Sequence, residues 1–335
     1  MRDPSFWWRE PGFMAALLRP AAALYGGIAA AKLWRKGARA KIPVICVGNL
    51  TAGGAGKTPT AIAIAKLLLD AGARPYFLTR GYGGALKGPI RVDPERHRAS
   101  DVGDEPLLLA RVAPAIVAHD RRAGAKAAAA AGASVIVMDD GFQNASVRKD
   151  LALIVIDGRR GIGNGRVIPA GPLRAPLEAQ LAKASAVLVI GKSENTAEFI
   201  DTIQARGLAV LHGRLTPDRD AAWALAGKNV LAFAGIGDPE KFFITVKAAG
   251  IAARMRLSFP DHHRYTEAEA KDILAHADRE QLIPLTTEKD FARMKGEPAL
   301  ADLAARVKTL PVTLVVEDED AWGRMVLDVV AGKHP

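Results

Sequence analysis

The segment Gly48-Asn49-Leu50-Thr51-Ala52-Gly53-Gly54-Ala55-Gly56-Lys57-Thr58-Pro59 holds the residue types that grip a polyphosphate. Glycines let the backbone curl until its N–H groups converge on phosphate oxygens, and a helix starting directly behind them adds a favourable dipole. The cradle falls on Thr51, Ala52, Gly53, Gly54, Ala55, Gly56, Lys57 and Thr58. Lys57 is placed to reach the β- and γ-phosphates of ATP, and the Thr58 hydroxyl to hold Mg2+. The strict pattern opens on glycine, where this chain has Thr51. A glycine-rich turn without a ligand is the alternative, and Gly56-Lys57-Thr58 between a strand pattern and a helix pattern weighs against it.

Phosphate chemistry with a metal asks for a carboxylate at the end of a neighbouring strand. Val135-Ile136-Val137-Met138 leads into Asp139 and Asp140, with Asp139 the first choice as ligand. If the phosphate moves to a hydroxyl, a base must take the proton. Asp104 opens a helical pattern and reads equally as that base or as a helix N-cap. Glu105 is placed by position to help hold Mg2+. Arg174 and Lys289 are either phosphate contacts or ordinary surface charge.

These residues need a scaffold. Ile42–Val47, Pro75–Thr79, Ala115–Ala118, Val135–Met138, Leu151–Ile156 and Ala186–Ile190 read as strands, and Thr60–Asp70, Glu105–Val112 and Arg121–Ala131 as helices. The continuous apolar runs and the alternating order predict an α/β fold with a parallel sheet and helices on both faces. A polar stretch, Leu215–Asp220, precedes a second, smaller α/β unit with strands at Val230–Ala234, Arg254–Leu257 and Leu282–Leu285. Val312–Val316 and a helix from Asp320 are expected to return to the first unit. The expected divisions are 1–36, 37–215, 222–312 and 313–335.

The first of these is an apolar stretch from Phe13 to Leu33, led by Phe6, Trp7 and Trp8 and closed by Trp34, Arg35 and Lys36. Arg19 and Pro20 split it, so a bent helix lying in a membrane surface is expected rather than a spanning one. The alternative is a helix packed on the protein's own core. The formal net charge of +10 suits an anionic membrane or a phosphorylated substrate. No zinc-finger spacing, RNA-binding aromatic signature or lysine-rich tail accompanies it, so nucleic acid is not an expected partner. The single cysteine, Cys46, excludes an internal disulfide and reads as core.

Several further motifs follow in order: Arg80-Gly81-Tyr82-Gly83-Gly84, Val102-Gly103-Asp104-Glu105-Pro106, Asp139-Asp140-Gly141-Phe142-Gln143 and Pro169-Ala170-Gly171-Pro172-Leu173-Arg174. Then come Phe233-Ala234-Gly235-Ile236-Gly237, Phe259-Pro260-Asp261-His262-His263 and Thr286-Thr287-Glu288-Lys289-Asp290. With the glycine-rich loop, this set resembles the tetraacyldisaccharide 4′-kinase family over nearly the whole chain. The resemblance implies a P-loop NTPase-like fold, ATP and Mg2+ as cofactors, and phosphorylation of the 4′-hydroxyl of the lipid A disaccharide 1-phosphate to give lipid IVA. It implies work at the cytoplasmic face of a bacterial inner membrane. It makes Asp104 the base and His262 the residue that pairs with and tunes it, beside Lys57. Asn144 stands where the family often has histidine, Ala175 where it commonly has glutamate, and Asp238 where it often has asparagine. A membrane-associated P-loop ATPase switch is the competing reading, and it leaves Asp104 and His262 without work.

Overall fold

The structure, a computed structural model, describes residues 3–192 and 196–332. Its strands in chain order are β1 (Val44–Gly48), β2 (Pro75–Thr79), β3 (Ile90–Arg91), β4 (Ala115–Val117), β5 (Val135–Asp139), β6 (Leu151–Asp157) and β7 (Ala186–Ile190). They continue as β8 (Ala209–Pro217), β9 (Asn229–Ala234), β10 (Ala252–Ser258), β11 (Ile283–Thr286), β12 (Lys308–Thr309) and β13 (Val312–Val316). One sheet has the order β13-β8-β7-β6-β1-β5-β2-β4-β3, and a smaller one the order β10-β9-β11-β12. The larger sheet is parallel from β8 to β4 and ends in an antiparallel strand at each edge. The smaller sheet is parallel throughout.

The central strands are buried on both faces, which is why they read as unbroken apolar runs. Along β1 the side chains alternate between two cores. Ile45 and Val47 join Ile64 and Leu68 of the helix Lys57–Asp70 and Val326 of the last helix, Glu319–Val330. Val44 and Cys46 join Leu50, Phe142 and Leu181 on the other side. Cys46 is fully buried and burial pushes its thiol up to about 11, which fits a core role and no nucleophilic one.

β8 runs to Pro217, through part of the polar stretch read as a break. Pairing with β13 (Leu215 opposite Leu314) supplies the backbone partners that the sequence pattern does not reveal. The chain thus leaves the larger sheet after β8, builds the smaller one, and returns at β13.

The N-terminal stretch forms two helices, Phe13–Leu17 and Arg19–Leu33, parted at Leu18. Pro20 sits in the first turn of the second helix, where its missing N–H costs nothing. Phe13, Leu17, Leu24, Ile28 and Trp34 are exposed, while Ala22, Gly26 and Leu33 face the protein. No helix among the described residues is long and apolar enough to cross a membrane.

Candidate active site

β1 lies between β5 and β6, and its carboxyl end meets that of β5, with Val47 opposite Asp139. Crevices at the carboxyl ends of parallel strands are where such sheets place ligands. The glycine-rich loop leaves β1 here and ends in the helix Lys57–Asp70. Gly48 must be glycine, because a Cβ would lie 2.2 Å from Phe142 Cβ. Gly53 and Gly56 take positive φ, 96° and 97°.

A cleft of about 270 Å³ is lined by Gly53 through Thr58, and by Asp238, Lys241, His262 and Lys289 from the far side. Thr51 and Ala52, expected in the cradle, are not among the residues lining it. Thr51 makes an antiparallel bridge to Leu173, its carbonyl accepts from Arg174 Nε at 3.0 Å, and Ala52 N donates to Pro172 O at 2.8 Å. That pairing explains why Thr51 can replace the usual glycine: its backbone is held extended against a neighbour.

Lys57 is buried, with Nζ 3.6 Å from Asp140. Burial alone would raise the Asp140 carboxyl, but Lys57 and Arg174 hold it down at about 2. Asp139 goes the other way. Burial and then nearby Glu105 push it up to about 7, against Lys57. Its Oδ2 accepts from the Thr58 hydroxyl at 3.2 Å, and its buried Oδ1 has no hydrogen-bond partner among the described residues. Glu105, a candidate metal ligand, accepts from Lys289 Nζ at 2.6 Å. Burial works against the Lys289 charge, and Glu105 and Asp104 outweigh it, keeping the ammonium above its usual range.

Asp104 is buried at the start of the helix Asp104–Leu109. Its Oδ2 accepts from Arg293 Nε at 2.7 Å and faces His262 Nδ1 at 3.4 Å. Burial alone would raise its pKa, but the His262 hydrogen bond and then Arg293 overcome that and leave it well below the usual carboxylate range. In return the Asp104 hydrogen bond lifts His262 above its ordinary value, against burial. The His262 ring is also 4.9 Å from the Tyr82 ring. Asp104 and His262, far apart in the chain and untied by any spacing, are therefore neighbours. Asp104 is not the cap of its helix: Gly103 holds that position, and Asp104, the first helical residue, only accepts from the adjacent Glu105 N at Oδ1, at 3.0 Å.

A second cavity, about 530 Å³, shares Tyr82, Glu105, Asp140, Arg174, Asp261 and His262 with the first and adds Arg80, Arg121, Gln143 and Asn144. Where the family pattern differs, the neighbours are plain. Asn144 Oδ1 accepts from Ser146 N and Oγ, Ala175 is fully buried, and Asp238 pairs with Arg159 and Arg160. Arg293, Tyr265 and Gln180 carried no signal in the sequence reading. For Arg293 the one available clue was its place three residues after Asp290 on a helix, with which it pairs at 2.9 Å.

The model of the family tetraacyldisaccharide-1-P 4′-kinase matches residues 14–331. The chain belongs to this family. Among its relatives is the tetraacyldisaccharide 4′-kinase of Methylobacterium sp. (strain 4-46), 56% identical over 322 residues, covering 96% of this chain and 95% of that one. That of Nitrobacter winogradskyi is 49% identical over 331 residues, covering 99% and 98%. A crystal structure titled as the "apo" form of LpxK from Aquifex aeolicus in complex with ATP superposes with a TM-score of 0.73 at 26% identity, covering 95% of this chain and 100% of that one. The α/β fold with its parallel sheet is thus that of the tetraacyldisaccharide 4′-kinases.

Proposed function

We propose that this chain transfers the γ-phosphate of ATP to the 4′-hydroxyl of tetraacyldisaccharide 1-phosphate, giving ADP and lipid IVA. The observation that carries the reading is a cleft with the loop Gly53–Thr58 on one side and His262, backed by Asp104, on the other. A nucleotide switch needs the first side only.

In this reading the loop acts as a P-loop. Lys57 and the helix N-terminus draw in the γ-phosphate and neutralise charge that spreads over its oxygens during transfer. Arg174 and Lys57 keep Asp140 ionised, and Lys289 keeps Glu105 in place beside the phosphates. The donor set fits Mg2+. Thr58 and Asp139 are hard oxygen donors, and Asp139 Oδ1, without a hydrogen-bond partner among the described residues, is the kind of atom a cation satisfies. Mg2+ takes few protein ligands and fills its shell with phosphate oxygens and water, so a large carboxylate cluster is not required. Bound there, it would supply Lewis-acid neutralisation of the phosphates.

The geometry favours giving the base role to His262, not Asp104. Asp104 is buried and held at Oδ2 by Arg293, with its lone pairs already engaged. His262 lines both cavities, and with Nδ1 turned to Asp104 its Nε2, 3.8 Å from Asp261 Oδ2, is the ring nitrogen left to face the acceptor. Asp104 then fixes the tautomer and stabilises the imidazolium that forms, the division of labour familiar from His–Asp pairs. The cavity with Arg80, Arg121 and Tyr82 would take the acceptor sugar.

The domain division 1–36, 37–215, 222–312 and 313–335 describes working parts in this proposal, with the cleft between the second and third. The exposed apolar side of the helices Phe13–Leu17 and Arg19–Leu33 would lie in the cytoplasmic face of the inner membrane, as a peripheral anchor. The test is transfer of labelled γ-phosphate from Mg-ATP to tetraacyldisaccharide 1-phosphate in detergent micelles, with Lys57→Ala as blank. Labelled lipid only with the intact lysine supports the kinase. ADP release with no labelled lipid overturns it in favour of a nucleotide switch.

A further inference from the structure

We propose that Arg293 is a positioning residue that registers Asp104 against His262 across the boundary between the two sheets, an inference that rests on the kinase reading above. Arg293 lies on the helix Glu288–Met294, behind β11 of the smaller sheet, while Asp104 belongs to a helix beside the larger one. Its side chain is only 6% exposed. Nε donates to Asp104 Oδ2 at 2.7 Å, the oxygen that faces the His262 ring. Nη1 donates to Gly235 O at 2.8 Å, and the same carbonyl accepts from His262 N at 3.0 Å. One planar group therefore touches both the carboxylate that orients the imidazole and the carbonyl that anchors its backbone.

His262 needs that anchoring. Its φ is +55°, a left-handed conformation uncommon in non-glycine residues. Asp290 completes the clamp. It is fully buried, and its Oδ1 accepts from Arg293 Nη1 at 2.9 Å, Gly235 N at 2.9 Å and the Tyr265 hydroxyl at 2.8 Å. Buried ion pairs gain little stability over apolar packing, because desolvation offsets the attraction. The flat fork of a guanidinium does something an apolar residue cannot: it fixes two acceptors at a set distance and angle. A lysine carries its donors on one nitrogen and lacks the fixed spacing of the fork.

The test is a double-mutant cycle on phosphate transfer with Arg293→Lys and His262→Ala, thermal unfolding of each variant, and Asp290→Asn as a second, shape-conserving variant. If Arg293 acts through His262, Arg293→Lys lowers kcat by about 10²-fold in the unmodified protein, with KM for ATP within about threefold. In the His262→Ala background the same change costs less than about threefold, because the ring it positions is gone. Asp290→Asn falls between, with the same non-additivity. An equal loss in both backgrounds makes Arg293 merely structural and overturns the inference, as does unchanged kcat in folded Arg293→Lys. Absence of transfer by the unmodified protein overturns the kinase reading and takes this inference with it, so the two failures are told apart.

Discussion

Replacing Asp104 by Asn removes one negative charge beside His262 and nearly nothing else in volume. The Asp104 Oδ2 to His262 Nδ1 distance is 3.4 Å. Two unit charges at that distance interact by about 5 kcal/mol at an effective dielectric of 20 and by about 1.2 kcal/mol in bulk water. The His262 side chain is 31% exposed, which places it toward the watery end. The coupling lost with the charge therefore lies nearer the lower of the two figures. The direction is fixed: Asp104 raises the His262 pKa, so its loss lowers it. A base must be neutral to accept a proton, and the acid limb of the kcat/KM profile reports its pKa in the free enzyme. In Asp104→Asn that limb should move to lower pH. The plateau should fall by about 10²- to 10⁴-fold, because the amide cannot accept from Glu105 N, Arg293 Nε and His262 at once. The assay is initial-rate phosphate transfer from pH 5 to 9, with the His262 ring titrated by NMR alongside. An acid limb at the same pH in both proteins would refute the reasoning, and one that moved up would refute its sign.

Other outcomes follow from the same geometry. Lys57→Ala should abolish transfer, by about 10³-fold or more, while the protein stays folded by circular dichroism. Chelation of divalent cations should stop the reaction, and Asp139→Asn should need more Mg2+ to reach half-maximal rate, read from a metal titration. Gly48→Ala should unfold at lower temperature, losing about 1–3 kcal/mol, since the new Cβ would lie 2.2 Å from that of Phe142. Leu24→Glu combined with Ile28→Glu should cut sedimentation with anionic vesicles without changing the melting temperature, as both side chains are exposed in the structure.

The glycine-rich loop was legible because its pattern is local. Glycine spacing, Lys57 and Thr58 sit in one segment, and the strand before it and the helix behind it each show their own periodicity. The central strands were equally plain, since burial on both faces forces unbroken apolar runs such as Val135–Met138. Local pattern failed where pairing decides the structure. β8 continues to Pro217 through polar residues because β13, nearly a hundred residues on, offers it backbone partners. Thr51 and Ala52 were assigned to the cradle from spacing alone, yet Leu173 and Pro172 draw them into a bridge.

The sequence by itself therefore determined the α/β order of elements, the glycine-rich loop before Lys57, and the family, through motifs that each lie within a few consecutive residues. Only the tertiary structure decided who works with whom. Asp104 could be base or cap on sequence grounds. Its roles as acceptor for Arg293 and neighbour of His262 depend on two sheets meeting at one cleft. A carboxylate's chemistry is set by burial and by the charges within a few ångströms. The residues that supply those charges here are more than a hundred positions away, where no spacing rule reaches.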